Sequence, residues 1–477
     1  MRIVHTLLTV AAILTSISPV PPDTDARSDV EHVAEELGLP GVALRVVSEG
    51  EVTEDVAVGM DGNGSPIDDG TPFVWGSVSK SVTAATVQAL VAQHRLDLTD
   101  IVEDVLPESN SIISADVTVA DLIHHTGGLP HDVTALDVWG RTERALDVVP
   151  TLRLTPDDPG SFRYSSLDYL LLQAIVEKIT DEPFADVVAR ETGVHTSEAV
   201  PPGHVPFFTF PRRIDTGIDN AGLGYGYLAG SIDELSRYAS SRLTTVASTG
   251  RDTVPTGSGL SYGFGWYVET LPDGTEMHWH SGAVPGYFTH VALIPERHMA
   301  VVFATNRYGE LEAEQLASAA RALVLTRLGF DEPRSTGPGL YAMLLIGSAA
   351  VAVLLAVCAI RILLRLHTAP GRWAPAHVLM AVAAGGVLYF ATPTLTGVPI
   401  STLGRWAPDV TMLFWLVLTE LAVIAVALAV RIFRQWTTAL HWSPWVGPVN
   451  GNPRPRGPGL GIAPGSGRRG VARCGRC

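Results

Sequence analysis

Phe73-Val74-Trp75-Gly76-Ser77-Val78-Ser79-Lys80-Ser81-Val82-Thr83-Ala84 is the stretch around which the rest of the chain organises. Lys80 is one of only two lysines, the other being Lys178, in a chain whose positive charge otherwise rests on arginine. A lysine in an apolar, helix-forming run differs from an arginine in one respect: desolvation strips its proton. Ser77 lies three residues earlier, so on a helix the hydroxyl and the amine share a face, one turn apart. An amine so placed accepts the hydroxyl proton and makes serine a nucleophile. The same spacing also describes an N-cap serine followed by a snorkelling lysine, and the short motif alone does not separate the two readings.

The chain has 477 residues, enough for a large domain and a further region. Its mean hydropathy of +0.23 points to membrane segments. Residues 339–360, about 375–394 and about 410–430 approach the roughly 20 apolar residues a bilayer demands, the second being interrupted by Gly385, Gly386 and Pro393. At the other end, Arg2 precedes an apolar run from Ile3 to about Ile17 and a polar segment, the layout of an export signal. Residues 1–26 are therefore read as a signal peptide or an uncleaved signal anchor.

Short arginine-rich loops stay in the cytoplasm. Arg361, Arg365 and Arg372 crowd the first loop, Arg431 and Arg434 follow the third span, and six further arginines lie in the tail. The second loop holds only Arg405, offset by Asp409. The expectation is a multi-pass protein of the cell membrane with lipid as a partner through its three spans. Residues 27–334 would form an extracytoplasmic domain, 335–338 a linker, 339–435 the membrane domain and 436–477 a Pro/Gly/Arg-rich cytoplasmic tail. The formal charge of −16 falls mostly on the outer domain, because only Asp409 and Glu420 are acidic after Arg334. An acidic outer domain argues against nucleic acid as partner.

The cysteines Cys358, Cys474 and Cys477 leave the outer domain without a disulfide. The lone C-x-x-C pair in the tail has no histidine partners, and His124–His125 and His278–His280 lack carboxylates at ligand spacing. No metal and no cofactor are expected. Gly259 to Gly263 fits G-x-S-x-G formally, but a strand follows where a nucleophile elbow needs a helix. Gly224, Gly226 and Ala229 mimic a dinucleotide fingerprint with no strand before them, so close packing is the better reading.

Along the outer domain, 41–47 and 51–58 alternate as a hairpin, and 264–270, 275–280, 287–294 and 299–305 as a meander. Between them lie the helical patterns 77–94, 167–180 and 231–241, the last with Ser231 as its cap. This is an α+β arrangement: an antiparallel sheet built from both ends of the domain, flanked by helices and holding a helical insert, followed by three transmembrane helices. The site belongs where insert meets sheet.

These segments, in this order, resemble the serine β-lactamase and penicillin-binding protein family, in its class C β-lactamase and esterase branch, over about Val30 to Asn306. Phe73 to Ala84 is similar to its S-x-x-K helix, His125 to Pro130 to its His-Thr-small-Gly-Leu-Pro loop, and Tyr164-Ser165-Ser166 to its tyrosine segment. Gly224 to Tyr238 resembles its glycine-rich helix entry and Tyr262 to Tyr267 its aromatic strand, and His280-Ser281-Gly282 stands where it has Lys or His, small, Gly. The resemblance implies Ser77 as nucleophile, Lys80 and Tyr164 sharing the task of base, and Ser77 and Ala283 N–H groups as oxyanion hole. It implies His280 as the opposite wall, assisting proton transfer or holding a substrate carboxylate, and Ser166, Ser281 and Gly282 as substrate contacts. One departure stands out: the family pattern is Tyr-x-Asn, and Ser166 offers only a short hydroxyl where asparagine offers an amide. The expected activity is acyl-enzyme hydrolysis of a β-lactam, a D-amino-acid peptide or a small ester. The alternative is a low-turnover penicillin-binding receptor or scaffold in a membrane complex. The sequence leaves the oligomeric state open.

Overall fold

The structure, a computed structural model, describes residues 26–131, 136–249, 252–330, 339–396 and 399–441. The leader, the linker 335–338 and the tail beyond 441 with Cys474 and Cys477 lie outside the described residues.

One eight-stranded antiparallel sheet carries the outer domain. Its spatial order is Glu51–Gly59, Gly41–Ser48, Met299–Thr305, Tyr287–Ile294, Glu276–Val284, Trp266–Thr270, Ser261–Gly263 and Val254–Pro255. The amino-terminal hairpin thus adds to the last strand of the meander, with Val42 opposite Thr305 and Ser48 opposite Met299. Gly41–Ser48 is buried along nearly its whole length because both sheet faces are covered. Val42, Leu44 and Val46 pack on the side of helices Ala26–Leu37 and Ala313–Arg327, whereas Ala43 belongs to the larger core formed with the helical insert.

The insert supplies three principal helices, Ser79–Ala92, Ser166–Thr180 and Ile232–Thr249. The last is capped by Ser231: its hydroxyl accepts the Glu234 N–H at 3.2 Å while the Glu234 carboxylate accepts the Ser231 N–H at 2.9 Å. It runs eight residues past the expected end at 241. Two other boundaries differ from expectation for clear reasons. Ser77 is not inside the helix but on a 3₁₀ turn, Gly76–Val78, that precedes it. Phe264 and Gly265 form a turn with φ of 51° and 82°, so the strand begins at Trp266. A Cβ on Gly265 would lie 2.4 Å from Ser81 Cα, which shows how closely this turn approaches helix Ser79–Ala92.

Ser261 opens a strand and stands opposite Val268, which rules out an elbow at Gly259 to Gly263. Gly224 and Gly226 lie in the single turn Leu223–Tyr227, where a Cβ on Gly224 would come 2.9 Å from Gln173 Cβ. That glycine serves close packing.

Among the described residues, three helices are long and apolar enough to cross a membrane: Tyr341–Leu364, Ala374–Leu395 and Pro408–Thr438. The second has the lowest hydropathy, 1.7 against 2.7 and 2.5, in keeping with its glycines and Pro393. The third continues to His441, beyond the start assigned to the tail. A short helix, Ile400–Trp406, joins the second to the third and packs on the outer domain. There Trp406 meets Tyr308 edge-on at 5.8 Å. The fully buried Asp409 accepts the Phe208 N–H at 2.7 Å and the Tyr341 hydroxyl. The outer domain, the start of the first apolar helix and the start of the third therefore meet at one end of the helix bundle.

Arg45 ties sheet to insert. Although it is only 3% exposed, its guanidinium donates to both Asp55 oxygens at 3.2 and 2.6 Å and to Asp233 at 2.7 Å, joining two strands to helix Ile232–Thr249. Arg45→Ala is expected to lower unfolding stability by about 2 kcal/mol in denaturant titrations, with Arg45→Lys recovering only part because an ammonium lacks the planar fork. An unchanged midpoint for Arg45→Ala would show that the buried fork contributes nothing.

Candidate active site

The turn that carries Ser77 is set against a free strand edge. Trp266–Thr270 pairs with Glu276–Val284 only as far as Trp279, opposite Tyr267, so among the described residues the edge beyond Trp279 has no strand partner on that side. Gly76-Ser77 fills the gap. A Cβ on Gly282 would lie 1.9 Å from Trp75 O and 2.9 Å from Ser77 N, and one on Gly76 would lie 2.1 Å from Ala283 N. Gly76 also has φ of +53°, a conformation glycine adopts without cost. Two glycines thus bring the Ser77 and Ala283 N–H groups side by side. Thr289 locks the arrangement by donating to Trp75 O at 2.6 Å.

Lys80 is completely buried. Its Nζ lies 3.0 Å from Ser77 Oγ, 3.1 Å from Ser166 Oγ and 2.8 Å from the Tyr225 carbonyl oxygen. All three partners are neutral. Burial pulls the Lys80 amine down to about 7, against the opposing pull of Asp137 and Asp168. Ser77, in contrast, keeps partial contact with solvent. Within reach of each other are therefore an open hydroxyl and, behind it, an amine that loses its proton near neutral pH.

Tyr164 completes the group. Its hydroxyl lies on the Ser77 side, and its ring centroid lies 5.0 Å from Lys80 Nζ. Burial pushes the phenol well above its usual range, so it keeps its proton. His280 lies beside it, its ring centroid 6.1 Å from that of Tyr164. Burial, then the nearby Lys80, depress its imidazole to about 3, so the ring is neutral at physiological pH.

The two remaining strand positions divide by the alternation of a β-strand. Gly282 lies against the nucleophile turn, whereas the Ser281 hydroxyl bonds His290 Nδ1 at 2.8 Å, on the sheet face where Trp279 and Ala283 pack. The Ser281 side chain is thus turned away from Ser77, a correction to its expected role as a substrate contact. Ser166 does reach the cluster, but its hydroxyl is engaged by Lys80.

Several contributors carried no readable signal. The Tyr225 carbonyl acts through backbone alone. Asp137, in a loop without periodicity, accepts from Tyr227 at 3.0 Å, and its N–H donates to the Tyr225 hydroxyl at 2.9 Å. Burial raises its carboxyl to about 6. His125, noted in a loop motif and as half of a histidine pair, bonds the buried Asp168 through Nδ1 at 2.6 Å, and its ring lies tilted against that of Tyr164 at 4.6 Å. It holds the tyrosine segment in place.

Comparison with known proteins places the fold. The family model Beta-lactamase matches residues 26–326, well over half of the chain. Penicillin-binding protein 4 of Amycolatopsis lactamdurans is 26% identical over 313 residues, covering 56% of this chain and 81% of that protein. The unguisins hydrolase ungD' of Aspergillus campestris is 22% identical over 338 residues, covering 61% of this chain and 63% of its own length, so the match spans less than two thirds of that relative. Among solved structures, the octameric penicillin-binding protein homologue from Pyrococcus abyssi superposes with a TM-score of 0.55 at 21% identity, over 64% of this chain and 77% of that one. With the sheet, the insert and the S-x-x-K turn arranged as described, the chain belongs to the beta-lactamase family.

Proposed function

We propose that this protein is a serine hydrolase held at the cell membrane by its three carboxy-terminal helices, its catalytic domain extracytoplasmic and its tail cytoplasmic. It acts on β-lactam, D-amino-acid peptide or small ester substrates through an acyl-enzyme on Ser77. The observation that carries this reading is the 3.0 Å contact between Ser77 Oγ and a buried lysine amine whose other partners are neutral. With its amine near 7, Lys80 is half deprotonated at neutral pH, where a general base is most effective.

In the first step the free amine of Lys80 takes the Ser77 proton as Oγ attacks the substrate carbonyl carbon. The oxygen gains negative charge and is met by the Ser77 and Ala283 N–H groups. Collapse breaks the bond to the leaving group, which takes a proton from Tyr164, and the tyrosine is reprotonated from Lys80. Tyr164 suits the donor role because its phenol stays protonated. Water then attacks the acyl carbon and gives a proton to Lys80; collapse breaks the bond to Ser77 Oγ, which takes that proton back as the acid leaves.

The residues around Ser77 rank the substrates. A neutral His280 offers no cation to a substrate carboxylate, and Ser166 spends its short hydroxyl on Lys80 rather than on a substrate amide. β-Lactams and D-Ala-D-Ala peptides bring both a carboxylate and an amide, whereas simple esters bring neither. Esters are the favoured class.

Four outcomes test this reading. A fluorophosphonate probe labels the full-length protein at Ser77, and Ser77→Ala abolishes the labelling; equal labelling of that variant would remove the nucleophile. Lys80→Arg, which keeps the charge but cannot give up its proton, slows acylation by about 10³-fold. Since only the free amine is a base, the acylation rate should rise with pH through about 7 and fall away below it. A rate flat from pH 5 to 9 would contradict Lys80 as base. In a comparison of p-nitrophenyl esters, nitrocefin and a D-Ala-D-Ala peptide, the ester is turned over fastest, and Ser166→Asn narrows its lead; a lead for nitrocefin would overturn the ranking.

A further inference from the structure

The short helix Ile400–Trp406 belongs to the membrane region in sequence, yet it ends at the rim of the active site. Arg405 donates to the Asp137 carbonyl oxygen at 3.2 Å and lies 5.0 Å over the Trp139 ring. From there a continuous chain of contacts leads inward. The Asp137 N–H donates to the Tyr225 hydroxyl at 2.9 Å, and the Tyr225 carbonyl oxygen accepts from Lys80 Nζ at 2.8 Å. The same loop is braced from below by Asp219, which accepts the Val138 N–H at 3.2 Å, the Tyr225 hydroxyl at 2.9 Å and the Arg141 fork at 2.7 and 2.6 Å. Trp406 against Tyr308 and Asp409 against Phe208 fix the short helix on the outer domain.

We propose that Arg405 is a positioning residue of the active site, holding the segment from Leu136 to Trp139 so that Asp137 stays beside the cluster that seats Lys80. The catalytic centre is then complete only with the membrane segment docked on it. This rests on the reading of Lys80 as the base. Arg405 touches no reacting atom; it acts through Asp137.

The electrostatic consequence has a definite sign. The groups facing Asp137 are Lys80, Arg405, Asp219 and the phenols of Tyr225 and Tyr227. Those facing Lys80 are Asp137 and Asp168, with His125, His280 and Tyr164 around it. The Arg405 cation favours ionised Asp137, and ionised Asp137 favours protonated Lys80. Removing Arg405 lets Asp137 keep its proton to higher pH, so Lys80 loses a negative neighbour and gives up its own proton more readily. The acid limb of the acylation profile moves to lower pH.

The test uses full-length protein in lipid nanodiscs, with a fluorophosphonate as acylating probe across pH 5 to 9. Arg405→Ala should slow acylation at the plateau by about tenfold, as expected when a supporting loop loosens, and move the acid limb to lower pH. Arg405→Lys should restore the limb, and Ser401→Ala, on an exposed position of the same helix, should behave as the unmodified protein. Asp137→Asn should shift the limb in the same direction, and the double variant should shift it no further, because both changes remove one interaction. A folded Arg405→Ala protein with an unmoved limb and an unchanged plateau overturns the proposal. So does an Arg405→Ala shift that persists undiminished in the Asp137→Asn background. An unmodified protein with no acid limb at all defeats the base assignment and the proposal with it, whereas an intact limb indifferent to Arg405 defeats the positioning alone.

Discussion

A lysine amine taken out of water and given only neutral partners is the constraint on which the rest of this structure depends. The Ser77 and Ser166 hydroxyls and the Tyr225 carbonyl satisfy Lys80 Nζ, while the nearest carboxylates, Asp137 and Asp168, act on it from a distance. A direct ion pair would favour the charged form and leave no base at neutral pH. Burial without pairing does the reverse. Many features of the helical insert, from the loop at Asp137 to the His125–Asp168 pair under Tyr164, serve to close that compartment.

The sheet supplies the second half of the site by leaving an edge unfilled. Because Trp266–Thr270 stops pairing at Trp279, the backbone from His280 to Val284 accepts the turn that carries Ser77 in place of a strand. Gly76 and Gly282 permit the approach, and any side chain at either would strike backbone. A pair of amide donors beside an open hydroxyl thus follows from sheet topology together with two missing Cβ atoms. Ser77 sits on a 3₁₀ turn leading into Ser79–Ala92, at the positive end of that helix's dipole.

How much of this was legible in the sequence depends on how local the cause is. The Ser77–Lys80 spacing is a property of one helical turn, and the scarcity of lysine marked it. The hairpin, the meander and the apolar helices are equally local patterns, and they stand close to where periodicity placed them. Ser281 was misjudged because its neighbours His280 and Gly282 carry the family motif while strand alternation turns its own side chain to the far face. The charge on His280 could not be read at all, since it is set by burial and by Lys80, both tertiary. The contact of Arg405 with Asp137 spans 268 residues and follows no pattern. In the sequence Arg405 looked only like a loop charge offset by Asp409, whereas Asp409 is taken up by Phe208 and Tyr341.

The central claim concerns one proton on one amine, and the composition of the chain makes it directly measurable. With only Lys80 and Lys178 present, lysine labelled with ¹³C at Cε gives two resonances in the full-length protein, and Lys80→Arg assigns them. Titration should show the Lys80 signal moving with a midpoint near 7. A Lys80 midpoint at the ordinary value above 10 would mean that the amine is charged wherever the protein works, and the account of a lysine base at Ser77 would fail.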